Sequence, residues 1–149
     1  MDDIDSLFVR PATLADGPGA DKILRECLLA YGVEPDPGEE ALGLHPAVID
    51  RVAQIDEELV GFASMRPNGD REGWVSKLFV DAEFRRLGVG RMLLGELEDE
   101  ARARGWVRLG LSTRSVFREA IALYESRGWV RGPAKSRARG RDRTYYLDL

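Results

Sequence analysis

Apolar positions recur along the chain in two periods, and the switching between them sets the order of elements. Leu7-Phe8-Val9-Arg10 is a short strand-type run closed by Pro11. Beyond it, Ala20, Ile23, Leu24, Cys27, Leu28 and Tyr31 return every three or four residues, which places them on one face of a helix. Thr13 and Asp16 have capping-box-like spacing, with a short acid in place of Glu or Gln, and Gly32 ends the pattern. Glu34-Pro35-Asp36-Pro37-Gly38 is loop chemistry, and residues 39–44 are expected to form a short helix before Pro46.

Residues 48–55 and 59–65 read as the two strands of a hairpin around Asp56-Glu57-Glu58. Pro67-Asn68-Gly69-Asp70 is a turn into a further strand over 74–80. A helix is expected over 88–104, with Val89, Met92, Leu93, Leu97 and Ala101 on the face toward the sheet and Gly105 near its end. Val107, Leu109 and Leu111 alternate in a strand over 106–112, followed by a helix over 116–127 and a last strand over 144–149. The order predicts an α/β (α+β) chain in which helices cover a mixed sheet, with a parallel crossover from the 74–80 strand to the 106–112 strand. No repeat or second domain is visible, so residues 1–149 are expected to form a single domain.

Composition narrows the class without choosing a function. With 149 residues, 44% hydrophobic and 32% charged, the chain is long enough for one core. It has no apolar run of the roughly 18 residues that a membrane span requires, and an acidic start where a secretory leader would be basic. A single cysteine, Cys27, cannot form an internal disulfide, so a cytoplasmic location is expected. The formal charge of −4 argues against a nucleic-acid partner, although Lys135, Arg137, Arg139, Arg141 and Arg143 form a basic tract that reads as a solvated loop or an anion-binding surface.

The chemistry concentrates between the 74–80 strand and the long helix, in Arg85-Arg86-Leu87-Gly88-Val89-Gly90. Two glycines one residue apart let backbone approach an anion, and the first helical turn behind them supplies unpaired N–H groups and the positive end of the helix dipole. That is the chemistry of a diphosphate cradle. The spacing fits neither the dinucleotide fingerprint, because Arg91, Met92 and Leu93 follow Gly90, nor a P-loop, which needs a Gly-Lys-Ser/Thr ending.

The motif resembles the acetyl-CoA loop of the GCN5-related N-acetyltransferases (GNAT), Gln/Arg-x-x-Gly-x-Gly/Ala, with Arg85, Gly88 and Gly90 in its defined positions. Residues 120–129, Ala-Ile-Ala-Leu-Tyr-Glu-Ser-Arg-Gly-Trp, are similar to the C-terminal signature of that family. The resemblance covers about residues 7–149. It implies a mostly antiparallel sheet of about six or seven strands with a splayed parallel pair that receives the cofactor. It also implies transfer of an acetyl group from acetyl-CoA to a primary amine of a small molecule or protein, by direct attack in a ternary complex and without a metal.

By the same resemblance, main-chain N–H groups from Arg86 to Arg91, through Leu87 and Val89, hold the diphosphate, and the main chain of Phe79 and Val80 pairs with pantetheine. Arg85, Arg86 and Arg91 either contact phosphates or are solvated arginines. Tyr124 corresponds to the family's thiolate-protonating tyrosine, and by spacing alone it is equally a core aromatic. Asp81, Glu83 and Glu72 are candidate bases near the cleft, His45 reads as a loop residue and Cys27 as a small core residue. Phe117 stands where relatives often carry asparagine, and Ala82 where they often carry proline. A non-catalytic acyl-CoA sensor is the alternative reading. A homodimer is a further expectation, with Tyr145-Tyr146-Leu147 as a pairing edge if uncovered.

Overall fold

The computed structural model of the chain describes residues 6–133 and 140–149. Its strands are β1 (Leu7–Pro11), β2 (Ile49–Ile55), β3 (Glu58–Pro67), β4 (Glu72–Val80), β5 (Arg108–Thr113), β6 (Val130–Gly132) and β7 (Arg143–Asp148). They form one sheet in the order β1-β2-β3-β4-β5-β7-β6, antiparallel throughout except between β4 and β5. The helices are α1 (Gly17–Ala30), α2 (Val89–Ala103) and α3 (Arg118–Ser126).

Strand alternation distributes neighbouring residues between two cores. Val52 and Phe62 pack with Ala20, Ile23, Leu24 and Leu28 of α1 on one face. Ala53 and Ala63 pack with Leu93, Leu97 and Ala101 of α2 on the other, together with Tyr124 of α3. Both faces of β3 are covered, which is why residues 60–65 form an unbroken buried run rather than alternating with polar positions.

The parallel junction is short. β4 and β5 pair only from Glu72 opposite Arg108 to Val75 opposite Leu111, although both strands continue. On its other side β4 slips register against β3: Met65 faces Val75 and Ser64 faces Lys77, which leaves Ser76 as an extra residue. The Ser76 hydroxyl donates to the Ser64 carbonyl at 3.2 Å. A bulge bends its strand and increases local twist, so one placed directly after the last β4–β5 pair turns β4 away from β5. Below that point the strands are held closely. A Cβ on Gly73 would lie 2.2 Å from the Trp106 ring, and one on Gly110 would lie 2.5 Å from the Trp74 ring.

Residues 39–44 are irregular, with one bend at Ala41, instead of the expected short helix. Side chains take the backbone donors there: Asp21 accepts from the Ala41 N–H at 2.7 Å, and Asp50 accepts from Gly43 and Leu44 at 3.2 and 2.7 Å. With those N–H groups satisfied from outside, Ala41 and Leu42 are buried against α1 without helical bonds. The edge expected at Tyr145-Tyr146-Leu147 is covered as well, because β7 lies between β5 and β6. The three-residue β6 is too short to leave a periodic signal.

A buried carboxylate fastens α2 to α3. Glu98 on α2 accepts from Arg127 Nε and Nη2 at 2.9 and 2.7 Å and from Trp129 Nε1 at 3.1 Å. Removing it would strand the Arg127 charge and the indole N–H in a nearly closed site. Glu98→Ala is therefore expected to lower unfolding free energy by about 3–5 kcal/mol in urea denaturation, and Glu98→Gln by less. A loss below about 1 kcal/mol for the alanine variant would mean that the clamp is not holding the two helices.

Candidate active site

Beyond Val75 and Leu111 the separating strands open a cleft of about 650 Å³. Residues 76–80 turn toward it an edge that pairs with no strand on the β5 side. After Val80 the Asp81 N–H donates to the Val60 carbonyl at 2.8 Å, and the Asp81 carboxylate caps the 3-10 turn Ala82–Phe84 by accepting from Glu83 N–H at 2.9 Å. Arg86 and Gly88 then take φ of 66° and 84°, and these two left-handed residues swing the chain into α2. The first helical bond runs from Met92 N–H to the Gly88 carbonyl at 3.0 Å, so the N–H groups of Val89, Gly90 and Arg91 precede any helical acceptor.

The two glycines serve different ends. At Gly88 nothing lies within 4 Å of an added Cβ, so its requirement is the left-handed backbone beside open space. Gly90 has ordinary helical backbone, but an added Cβ would lie 3.1 Å from Leu123 and 3.6 Å from Val80. Its smallness lets α2 close on α3 and β4.

The cleft brings together Phe79, Val80, Arg85, Arg86, Gly88, Val89, Gly90, Arg91 and Tyr124. Leu87 is not among its lining residues and packs instead against the core beneath α2. Arg85 reaches the α1 side, with Nη2 3.8 Å from the Cys27 sulfur and Cζ 5.9 Å from the centre of the Tyr31 ring. Arg91 donates to Ser126 Oγ at 3.2 Å.

Tyr124 is a core aromatic that also reaches the cleft. Its ring packs against Trp129 and Tyr145 at centroid distances of 5.9 and 6.1 Å and is 5% exposed. The residue also lines the cleft, and its hydroxyl, which makes no hydrogen bond among the described residues, is not sealed from the cleft. Burial pushes its pKa well above the ordinary tyrosine range, so the phenol stays a neutral donor.

The carboxylates are arranged otherwise than expected. Asp81 and Glu83 are outside the lining, and Glu72 faces Arg108 at the closed end of the strand pair. Those on the wall are Glu34, Asp36, Glu39 and Glu119. Glu119 accepts from the Tyr31 hydroxyl across the mouth of the cleft, and this bond holds its carboxyl below the usual range. Phe117 stands edge-on to Tyr31 at 5.1 Å and to Phe79 at 6.2 Å, which makes an aromatic wall where an amide was missing. Tyr31 and Glu119 lie 88 residues apart, and nothing in the sequence pattern links them.

Cys27 is buried, donates to the Val80 carbonyl at 3.3 Å and has its pKa raised by burial. His45 lies on an exposed loop, where Nδ1 accepts from Ala47 N–H at 3.1 Å. Lys135, Arg137 and Arg139 of the basic tract fall outside the described residues, while Arg141 lines the cleft and Arg143 sits opposite Thr113. Among the described residues there is no cluster of metal-ligating side chains, and no helix is long and apolar enough to cross a membrane.

The family model described as "Acetyltransferase (GNAT) family" matches residues 20–129. The "[Ribosomal protein bS18]-alanine N-acetyltransferase" of Salmonella typhimurium (strain LT2) is 43% identical over 74 residues, covering 50% of this chain and 49% of that protein. The chain thus spans about half the length of that relative. The "Uncharacterized N-acetyltransferase YsnE" of Bacillus subtilis (strain 168) is 32% identical over 103 residues, covering 65% of this chain and 68% of that protein. In fold, the chain is similar to a PaiA N-acetyltransferase from Thermoplasma acidophilum solved in complex with coenzyme A, with a TM-score of 0.78, 14% identity and coverage of 97% and 99%.

The backbone requirement at the loop can be measured by itself. Gly88→Ala is expected to destabilise the protein by about 1–2 kcal/mol, the cost of a left-handed β-carbon, in chemical denaturation. Gly88→Asn should lose less, because asparagine tolerates that conformation. Equal losses for the two variants would point to steric contact instead.

Proposed function

The chain belongs to the GNAT family of acetyltransferases, and from that premise we propose that it transfers the acetyl group of acetyl-CoA to a primary amine of a small molecule or protein. The observation that carries this reading is the meeting of three parts in one cleft: a strand edge that pairs with no strand, a helix-start cradle and a phenol with no hydrogen-bond partner among the described residues.

The residues present fit the cosubstrate. The free N–H groups at the start of α2, beside the open space over Gly88, suit a diphosphate, and the edge of residues 76–80 suits the amides of the pantetheine arm. In the proposed reaction the amine nitrogen, in its neutral form, attacks the thioester carbonyl carbon. A C–N bond forms and the C–S bond breaks. Tyr124 donates its proton to the departing sulfur and regains one from the proton lost by nitrogen, so the products are the amide and free coenzyme A thiol. The phosphates would be met by main-chain donors, with Arg86 and Arg91 as nearby positive charge, whereas the position of Arg85 supports a role on the acceptor side.

The Salmonella relative named for alanine of a ribosomal protein supports a protein amino group as one candidate acceptor. A non-catalytic acyl-CoA sensor would need the cradle but not a free phenol in the cleft, and this favours the enzyme. A single reduced cysteine is compatible with the cytoplasm.

Tyr124→Phe is the test. Coenzyme A binding by calorimetry should be unchanged, while kcat falls by about 10-fold or more, the scale of general acid catalysis. Undiminished turnover would exclude the assigned role. Because burial raises the Tyr124 pKa, this residue should cause no loss of kcat as pH rises from 8 toward about 10, where an ordinary tyrosine begins to ionise. A fall of kcat in that window that disappears in Tyr124→Phe would contradict the buried-donor account.

A further inference from the structure

Three cations line the cleft from three neighbouring strands, one from within β4 beside the bulge and two from just beyond the ends of β5 and β7. Lys77 is on β4 directly after Ser76, Arg114 follows β5, and Arg141 precedes β7. All three line the cleft. Lys77 is half-buried, and its ammonium donates to the Glu40 carbonyl at 2.7 Å. The guanidinium of Arg114 lies against Gly140, the residue before Arg141, where an added Cβ would be 2.3 Å from Nη1. None of the three forms an ion pair with a described carboxylate.

This grouping is unfavourable unless something negative joins it. Burial lowers the Lys77 pKa; Glu39 and Asp50 raise it in part, and Arg141 and Arg66 lower it. Asp50 is already engaged by the N–H groups of Gly43 and Leu44 and by the Ser64 hydroxyl. Glu34 and Asp36 lie on the chain leading from α1 to β2, and Glu119 is held by Tyr31. The cosubstrate does not account for these cations either. Its proposed phosphate cradle is at the α2 start, whereas Lys77 precedes Val80 by three residues, about 10 Å along an extended strand. The cradle also has Arg86 and Arg91 close by.

Resting on the acetyl-transfer reading, we propose that the acceptor is an amine that also carries an anionic group, a carboxylate or a phosphate, and that Lys77, Arg114 and Arg141 bind that group while the amine points toward Tyr124. Guanidinium forks and an ammonium in a partly desolvated site are suited to such oxygens. The cations then select the acceptor and take no part in the chemistry.

The test uses the full chain with acetyl-CoA, follows thiol release, and compares acceptors that differ in the anion: γ-aminobutyrate with n-butylamine, and O-phosphoethanolamine with ethanolamine. In at least one pair the anionic member should have the higher kcat/KM by about 10-fold or more, the scale of one charge-assisted hydrogen bond. The pair that discriminates identifies carboxylate or phosphate. Lys77→Gln and Arg141→Gln should each shrink the preference through KM and leave acetyl-CoA binding unchanged, while Lys77→Arg should retain it. The proposal is overturned if neutral amines match or exceed their anionic partners, if Lys77→Gln keeps the preference, or if acetyl-CoA binds and none of the four amines reacts. Failure to bind acetyl-CoA at all would instead remove the acetyl-transfer reading.

Discussion

One extra residue, Ser76, governs this molecule. It breaks the ladder between β3 and β4 one position after the last contact of β4 with β5, and the sheet divides there. A continuous parallel pair would direct every backbone group of residues 76–80 into the sheet. The bulge leaves them an edge along the cleft that no strand pairs, where backbone donors and acceptors are met by water or by a ligand. A ligand that offers amides along an extended arm can supply such partners, which is what the proposed cosubstrate would bring.

The rest of the cleft is built to keep that opening fixed. Gly73 and Gly110 let two tryptophans close the strand pair below the split, while Glu98 ties α2 to the end of α3 above it. Arg127 and Trp129, which Glu98 holds, directly follow α3, the helix that carries Tyr124. The phenol is aimed by a buried charge network and an aromatic stack rather than by a hydrogen bond of its own. This arrangement leaves its proton available in the cleft.

Much of this was legible in residue order. Period-two and period-3.6 patterns located β1 to β5, β7 and all three helices, and Arg85-Arg86-Leu87-Gly88-Val89-Gly90 located the cradle, because local backbone chemistry is written locally. What escaped was set by distant partners. Asp21 and Asp50 turn residues 39–44 into a capped loop where local spacing suggested a helix. Arg85 lies against Tyr31, Glu119 is bound by a tyrosine 88 residues away, and the second loop glycine is constrained by Leu123 and Val80 as well as lining the cleft. Convergence of Lys77, Arg114 and Arg141 likewise depends on three strands meeting in the sheet, which no linear pattern records.

The central claim is that the free edge after the bulge and the N–H groups at the start of α2 are both ligand sites for one molecule. Amide hydrogen exchange with and without coenzyme A tests it directly. The account predicts slowed exchange in residues 76–80 and 88–91 together, with the paired residues 72–75 unchanged. Binding without protection in those two segments, or protection confined to another face of the sheet, would contradict it.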